Sequence, residues 1–523
     1  MNKKLFLIIS VITLISTFFS FAFIKNEQVE KDLEIFSAFY RTLNEHYVDS
    51  IHSDKLIKRV IDATVKLLDP FTVFYDAEQT KEREKAWLGI QYAGIGATIQ
   101  QFDSLVYITE LLDTYPAQKA GLKIGDAFIK INDTLVTGKD VATVRSKLIG
   151  LKDTPVKVEI KRNNNIYSFN LIRQEVVSPA IDIAYVDENG KGYIRLNHFL
   201  KNSSNLFKQE LLKLKQKNLN HLIIDLRWNS GGIVEETVAI LSNFLPAKTE
   251  VCFLKGFHKD ANYSYYTENT DGDTLLPITL LISNQTISAG EIFAGALQDL
   301  DRAKIIGERS YGKGLVQGTR FPGYGTSLYV TAARYFTPSG RCIQEIKYAS
   351  DITSVTYNDT LKTFHTKKGK LVKSGAGIEP DLHYKQESKL NFKQIFSEKE
   401  LFFYLNNIFE DYCQSKDTAL FFEREIQKLI KYIGTNHYLI KHDADSELTR
   451  FEARMKEILN NNIYSKEIAT LKRKINLEKL ALLKKSKNEL KTELQAQMIK
   501  RKYGKLQEEM FRIKNDSIFT LIK

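Results

Sequence analysis

Ser288 and Lys313 lie 25 residues apart, each in a glycine-bearing turn, and a serine with a lysine is a pair able to run acyl transfer. A serine hydroxyl is a poor nucleophile until a base removes its proton. Lysine is such a base only when neutral, which requires burial or the loss of nearby anions to bring its pKa toward ambient pH. Each residue also has a local alternative. Ser288-x-x-Glu291 is a capping box, in which the serine only caps a helix. Gly307-x-x-x-x-Gly312-Lys313 satisfies most of a phosphate-binding loop. Its next residue, however, is Gly314, which cannot ligate magnesium, and Leu315 to Arg320 look extended, so no helix N-terminus follows for the phosphates. A lysine on the surface of a glycine turn is a third reading. None of the nine histidines sits in a motif that would make it a base, and His198 and His221 are expected to be structural.

The elements that must hold these residues form an alternating pattern. Tyr193–Leu196, His221–Leu226, Ile278–Ser283 and Ala303–Gly307 read as strands, and Ser204–Lys215, Val234–Leu245 and Ala289–Leu300 as helices. Repeated β-turn-α units predict a layered α/β core. Three turns each follow an apolar strand: Asp225 to Gly232, Asn284 to Glu291 and Gly307 to Gly314. Strand-end loops are where such sheets carry their sites. A serine that ends a strand and opens a helix has backbone N–H groups aimed at any oxyanion formed beside it.

The stretch from Leu280 to Gln317 resembles the carboxy-terminal processing proteases, the tail-specific serine peptidases of family S41. The residues carrying the resemblance are Thr286-Ile-Ser-Ala-Gly-Glu291, Ala294-Gly-Ala-Leu-Gln-Asp299 and Gly312-Lys-Gly-Leu-Val-Gln317. Asp225-Leu-Arg-Trp-Asn-Ser-Gly-Gly232 is similar to the family's Asp-Leu-Arg-x-Asn-Pro-Gly-Gly, with Ser230 in place of proline. Thr331 to Gln344, around Thr-Pro-Ser-Gly-Arg341, and Gly375 to Asp381 follow in order; Leu68-Asp-Pro-Phe-Thr72 matches less well. The resemblance implies that Ser288 is the nucleophile, Lys313 the base and Gln317 the residue that positions the lysine. It also implies an oxyanion hole of Ala289 and the Gly231-Gly232 turn, with Gly232 the favoured donor of the two. The implied fold is a crotonase/ClpP-like layered α/β core. Upstream, Tyr92-Ala93-Gly94-Ile95-Gly96-Ala97 resembles the carboxylate-binding loop of a PDZ domain, and Pro116 to Asn132 is similar to another PDZ segment. Such a domain adds a peptide C-terminus as an extra strand.

The expected organisation is a signal peptide or N-terminal membrane anchor (1–24), a helical region (25–88), an inserted β-rich PDZ domain (89–175), the peptidase core (176–385) and a C-terminal helical region (386–523). Lys3-Lys4 before the apolar run Leu5–Ile24 is the layout of an export signal, and the run is also long enough to span a bilayer. The chain is therefore expected to be exported, to a periplasm or cell envelope. The charge of +12 is concentrated in the helical tail, interleaved with Glu and without a nucleic-acid motif, so no nucleic-acid partner is expected. Cys252, Cys342 and Cys413 have neither metal nor disulfide-framework spacing, and no metal or other cofactor is expected. Expected partners are protein substrates with exposed C-terminal tails, with an adaptor or a second copy as candidates for the tail helices. Two rival functions share this fold: a catalytically inactive PDZ-containing scaffold, and an acyl-CoA enzyme.

Overall fold

A computed structural model describes residues 27–268, 272–344, 362–385, 398–435, 443–459 and 464–522. The apolar run Leu5–Ile24 lies outside them. Among the described residues no helix is long and apolar enough to cross a membrane. The described residues divide into two units, 27–75 and 319–330 in one and the remainder in the other. In the first, helices Glu27–His46 and Ser53–Lys66 precede a turn in which the Asp69 carboxylate accepts the Phe71 and Thr72 N–H groups at 2.7 and 2.8 Å. Strand Val73–Tyr75 then runs antiparallel to Ser327–Tyr329.

The second unit is built on a six-stranded sheet in the order 181–186, 191–196, 221–225, 278–282, 304–307, 382–383. The first pair is antiparallel and every later pair is parallel. Its central strands, Leu-Ile-Ile-Asp225 and Ile-Thr-Leu-Leu-Ile282, are buried on both faces, which is why they read as continuous apolar runs. One face packs against helices Ser203–Lys215, Val234–Leu241 and Ala289–Asp299. The other face, with Tyr193, Ile223, Leu281 and Ile306, is covered by Ile513, Ile518 and Ile522 of the C-terminal segment. The tail therefore supplies the third layer of the core. Helix Val234–Leu241 stops four residues short of the expected Leu245, where Asn243 turns its amide back onto the Ile240 carbonyl at 2.9 Å.

Residues 97–172 form a separate sheet with its own core of Val106, Ile108, Phe128, Val158 and Ile160. Helix Val141–Leu148 packs on this core through Val144 and Leu148. The stretch before this sheet holds two strands, Ile90–Gly94 and Ala97–Phe102. Ile90–Gly94 pairs with Gln174–Val177 outside the sheet, and Ala97–Phe102 enters it. The break at Ile95-Gly96 is fixed from outside, because their carbonyls accept the Ala117 and Leu112 N–H groups, both at 2.9 Å. An α/β core, an inserted β-rich domain and helical ends were the expected fold, and that is the fold observed.

The tail helices Glu398–Gln414, Thr418–Thr435 and Lys487–Tyr503 share a core of Leu405, Phe421, Ile426, Leu490 and Leu494. They also grip the small sheet. Phe402 and Phe403 stack around Phe102 and Tyr107 with ring centroids 5.0 to 5.7 Å apart. Lys500 and Lys505 both bond the Glu110 carboxylate, at 2.6 and 2.8 Å.

Candidate active site

Register brings the three turns together. Asp225 pairs with Leu281 and Ile282 with Gly307, so parallel strands release all three turns at one edge of the sheet. Cross-links then fix them. Leu226 N–H donates to Leu281 O at 2.9 Å, Thr286 Oγ1 to Leu226 O at 2.7 Å, and Tyr311 N–H to Thr286 O at 3.1 Å. Ile287 N–H donates to Asn229 O at 2.9 Å, which ties the serine turn to the Gly-Gly turn.

Ser288 opens helix Ala289–Asp299 at φ 56° and ψ −114°. A residue with a side chain held there stores roughly 1–3 kcal/mol of backbone strain and persists only where its surroundings over-determine it. The surroundings do so. Its N–H donates to Glu291 Oε2 at 2.9 Å, and its carbonyl accepts the Tyr335 hydroxyl at 3.2 Å. Tyr335 is fully buried, and burial first, then the nearby Glu291, pushes its phenol well up, so it stays a donor. All eleven residues of the helix are buried, which fixes its N-terminus against the sheet.

Glu291 does more than the capping box requires. Its carboxylate accepts Ser288 N–H, Lys313 N–H at 2.9 Å, Gly312 N–H at 2.7 Å and the Ser310 hydroxyl at 2.5 Å. One side chain thus binds the backbones of Ser288 and Lys313 to each other. Full burial pushes its carboxyl up to about 7, against the opposing pull of these four donors. Ser310 in turn accepts Ile378 N–H at 2.6 Å, so Gly375 to Asp381 closes around the same turn.

Lys313 Nζ donates to Gln317 Oε1 at 2.8 Å, and Gln317 Nε2 donates to Thr331 Oγ1 at 3.2 Å. Gln317 lies on the strand Leu315–Gly323 and Lys313 in the turn two residues before it, so this i, i+4 pair is made without a helix. That strand also disposes of the phosphate-loop alternative, which needs a helix after the lysine.

Gly231 and Gly232 stand at φ 94° and 143°. A Cβ on Gly231 would lie 2.8 Å from Ile287 O and 3.0 Å from Ser288 Cβ, and one on Gly232 2.2 Å from Phe199 O. The turn is therefore in contact with the serine, and only glycine allows the approach. Gly231 N–H is taken by Asn229 Oδ1 at 2.8 Å. Among the described residues no hydrogen bond uses Gly232 N–H. Ala289 is the first helical residue, whose N–H has no intrahelical partner. Gly232 and Ala289 thus each carry a backbone N–H that no hydrogen bond among the described residues uses.

Of the residues assigned to peptide binding, Tyr92, Ala93 and Gly94 lie in the strand paired with Gln174–Val177, Ile95 and Gly96 make the turn, and Ala97 begins the edge strand of the small sheet. That edge faces helix Val141–Leu148, whose Arg145 guanidinium sits 5.6 Å from the centre of the Tyr92 ring. His221 Nε2 meets Thr279 Oγ1 at 2.9 Å, away from the turns. Among the described residues no group of three His, Cys, Asp or Glu could hold a metal ion.

Residues 190–354 match the model of peptidase family S41, and residues 93–172 that of the PDZ domain. A CtpA-like serine protease of Staphylococcus aureus strain N315 is 31% identical over 357 residues, covering 66% of this chain and 70% of the relative. The chain belongs to peptidase family S41. A further CtpA-like serine protease, from Staphylococcus epidermidis strain ATCC 12228, is 29% identical over 332 residues, 63% of this chain and 67% of that protein. Among solved structures, the photosystem II D1 C-terminal processing protease is 24% identical, with 70% of this chain and 95% of that one covered and a TM-score of 0.37. The PDZ domain of a carboxy-terminal protease from Vibrio cholerae, in complex with peptide, is 23% identical, covering 16% of this chain and 96% of that one, with a TM-score of 0.16. As a member of S41 the chain is a serine peptidase, and its inserted sheet is a PDZ domain.

Proposed function

We propose that this peptidase captures the C-terminal tail of a protein on its PDZ domain and cuts near that tail with a Ser288–Lys313 dyad. Ser288 Oγ attacks the scissile carbonyl while neutral Lys313 takes its proton. Gln317, bonded to Nζ, orients the amine. The oxyanion is received by the N–H groups of Ala289 and Gly232, each worth roughly 3–4 kcal/mol in such sites. Lys313 then returns the proton to the leaving amine, and water, deprotonated by the same lysine, hydrolyses the acyl-enzyme. The observation that carries this reading is the Glu291 carboxylate, which holds the Ser288 and Lys313 backbones on one group.

Tail capture is supported by the edge strand Ala97–Phe102 lying beside helix Val141–Leu148, since an unpaired edge next to a helix accepts an extended peptide. The apolar run Leu5–Ile24 supports export to the cell envelope.

The test is cleavage of an unfolded protein ending in a free, apolar C-terminus. Wild type is expected to cut it, Ser288→Ala and Lys313→Ala to leave it intact, and amidation of the substrate's terminus to slow the cut. Equal cleavage by wild type and Ser288→Ala would remove the nucleophile assignment. An inactive wild type that still binds the tail would favour the scaffold reading.

A further inference from the structure

The Gly231-Gly232 turn needs to be stiff, because an oxyanion donor contributes only if it already points at the reacting atom. Two consecutive glycines are the least constrained backbone available. A proline at the preceding position would restrain the turn, since its ring fixes φ; here that residue is Ser230.

A different restraint is in place. Segment Leu196–Phe199 is laced to the turn by three hydrogen bonds. Asn229 Nδ2 donates to Leu196 O at 2.8 Å, Phe199 N–H to Gly231 O at 3.0 Å, and Ile233 N–H to Phe199 O at 2.8 Å. Residue 230 itself is reached from the same segment by His198, whose Nδ1 lies 3.1 Å from Ser230 Oγ. The ring is half-buried, and burial favours its neutral form against the opposing pull of Asp182. Asp182 is itself paired with Arg195 at 2.6 Å, so that pull is largely neutralised.

We propose that His198 is a positioning residue for the peptidase reaction, holding the oxyanion turn through Ser230 where proline would otherwise hold it. The inference rests on the reading of Ser288 as nucleophile. It makes a prediction that a general packing role does not: proline at 230 should make His198 dispensable. Among the described residues no hydrogen bond uses Ser230 N–H, so the proline removes none.

The experiment compares wild type, His198→Ala, His198→Asn, Ser230→Pro and the double variant His198→Ala/Ser230→Pro on the unfolded substrate, reading kcat, KM and Tm. His198→Ala is expected to lose roughly five- to ten-fold in kcat with KM unchanged, the size of one hydrogen bond realised in the transition state. The double variant should recover kcat to within about two-fold of Ser230→Pro alone. His198→Asn, whose short amide can reach the same hydroxyl, should stay near wild type. The proposal is overturned if His198→Ala retains full kcat, if the double variant stays as slow as His198→Ala, or if His198→Asn is as slow as His198→Ala. Should proline at 230 prevent folding, His198→Asn decides alone. Ser288→Ala assayed alongside keeps the two readings apart. If it is active, the nucleophile assignment falls and this one with it; if it is inactive beside a fully active His198→Ala, only the role of His198 falls.

Discussion

At the scale of single residues, the lysine depends on what faces its amine. Gln317 presents a neutral carbonyl oxygen to Nζ, which orients the amine without adding a charge that would favour the ammonium. Gln317→Glu would add that charge. A carboxylate within hydrogen-bond distance raises a lysine pKa, on the order of 1–3 units for such pairs, so the neutral base becomes scarcer at any given pH. The acid limb of the pH–rate profile is expected to move upward by that amount, with activity falling at neutral pH and recovering at higher pH. A limb that stays in place would exclude Lys313 as the base. That Ser288, Lys313, Gln317 and the glycine turn would be gathered in one region was legible from the sequence only when their short motifs were read together, since Ser288 and Lys313 each have a local alternative when read alone. The wider role of Glu291 was not legible. A capping box explains Ser288-x-x-Glu291 completely, and nothing local announces that the same carboxylate also receives Ser310, Gly312 and Lys313. The contact of His198 with Ser230 was hidden for a related reason, because the two lie 32 residues apart in the chain.

At the scale of elements, the helix that Ser288 opens is held at both ends. Its N-terminus is fixed by Glu291 and Tyr335, and its C-terminus by Arg341 of the Thr-Pro-Ser-Gly-Arg turn. Arg341 Nη2 donates to Gln298 Oε1 at 2.7 Å and to Asp299 Oδ1 at 2.8 Å, and Ser339 N–H meets Asp299 Oδ2 at 3.0 Å. Both Arg341 and Asp299 are buried, so Arg341→Leu would leave a carboxylate uncompensated. A loss of about 3–5 kcal/mol is expected, read as a lower urea midpoint. A change below about 1 kcal/mol would show that Asp299 finds another partner. The strands and helices of the core were readable to within a few residues because parallel strands buried on both faces are unbroken apolar runs. The exact place of the break, Ile95-Gly96, was not readable within the stretch Tyr92–Ala97, since hydrogen bonds from Leu112 and Ala117 fix it.

At the scale of the whole chain, the helical tail is part of the enzyme's core. Arg227, two residues before Asn229 of the Gly231-Gly232 turn, bonds both Asp225 at 2.7 Å and Asp516 of the tail at 2.6 Å. Ile518 is fully buried against the back of the sheet. Ile518→Ala is expected to cost about 2–5 kcal/mol, measured by urea denaturation followed through the loss of peptidase activity. A near-neutral result would mean that the sheet does not need this third layer. Composition and periodicity announced the tail as helical but could not say what its apolar residues cover, because an amphipathic stripe names no partner. The order of the layers carries a consequence for biosynthesis. Residues 505–522 are translated after every strand they cover, so the back of the sheet remains bare while the ribosome is still making them. A nascent chain would carry the serine, the lysine and both glycines before the layer behind them exists. Proteolytic competence would then wait until residues 513–522 have been made and have docked on the sheet.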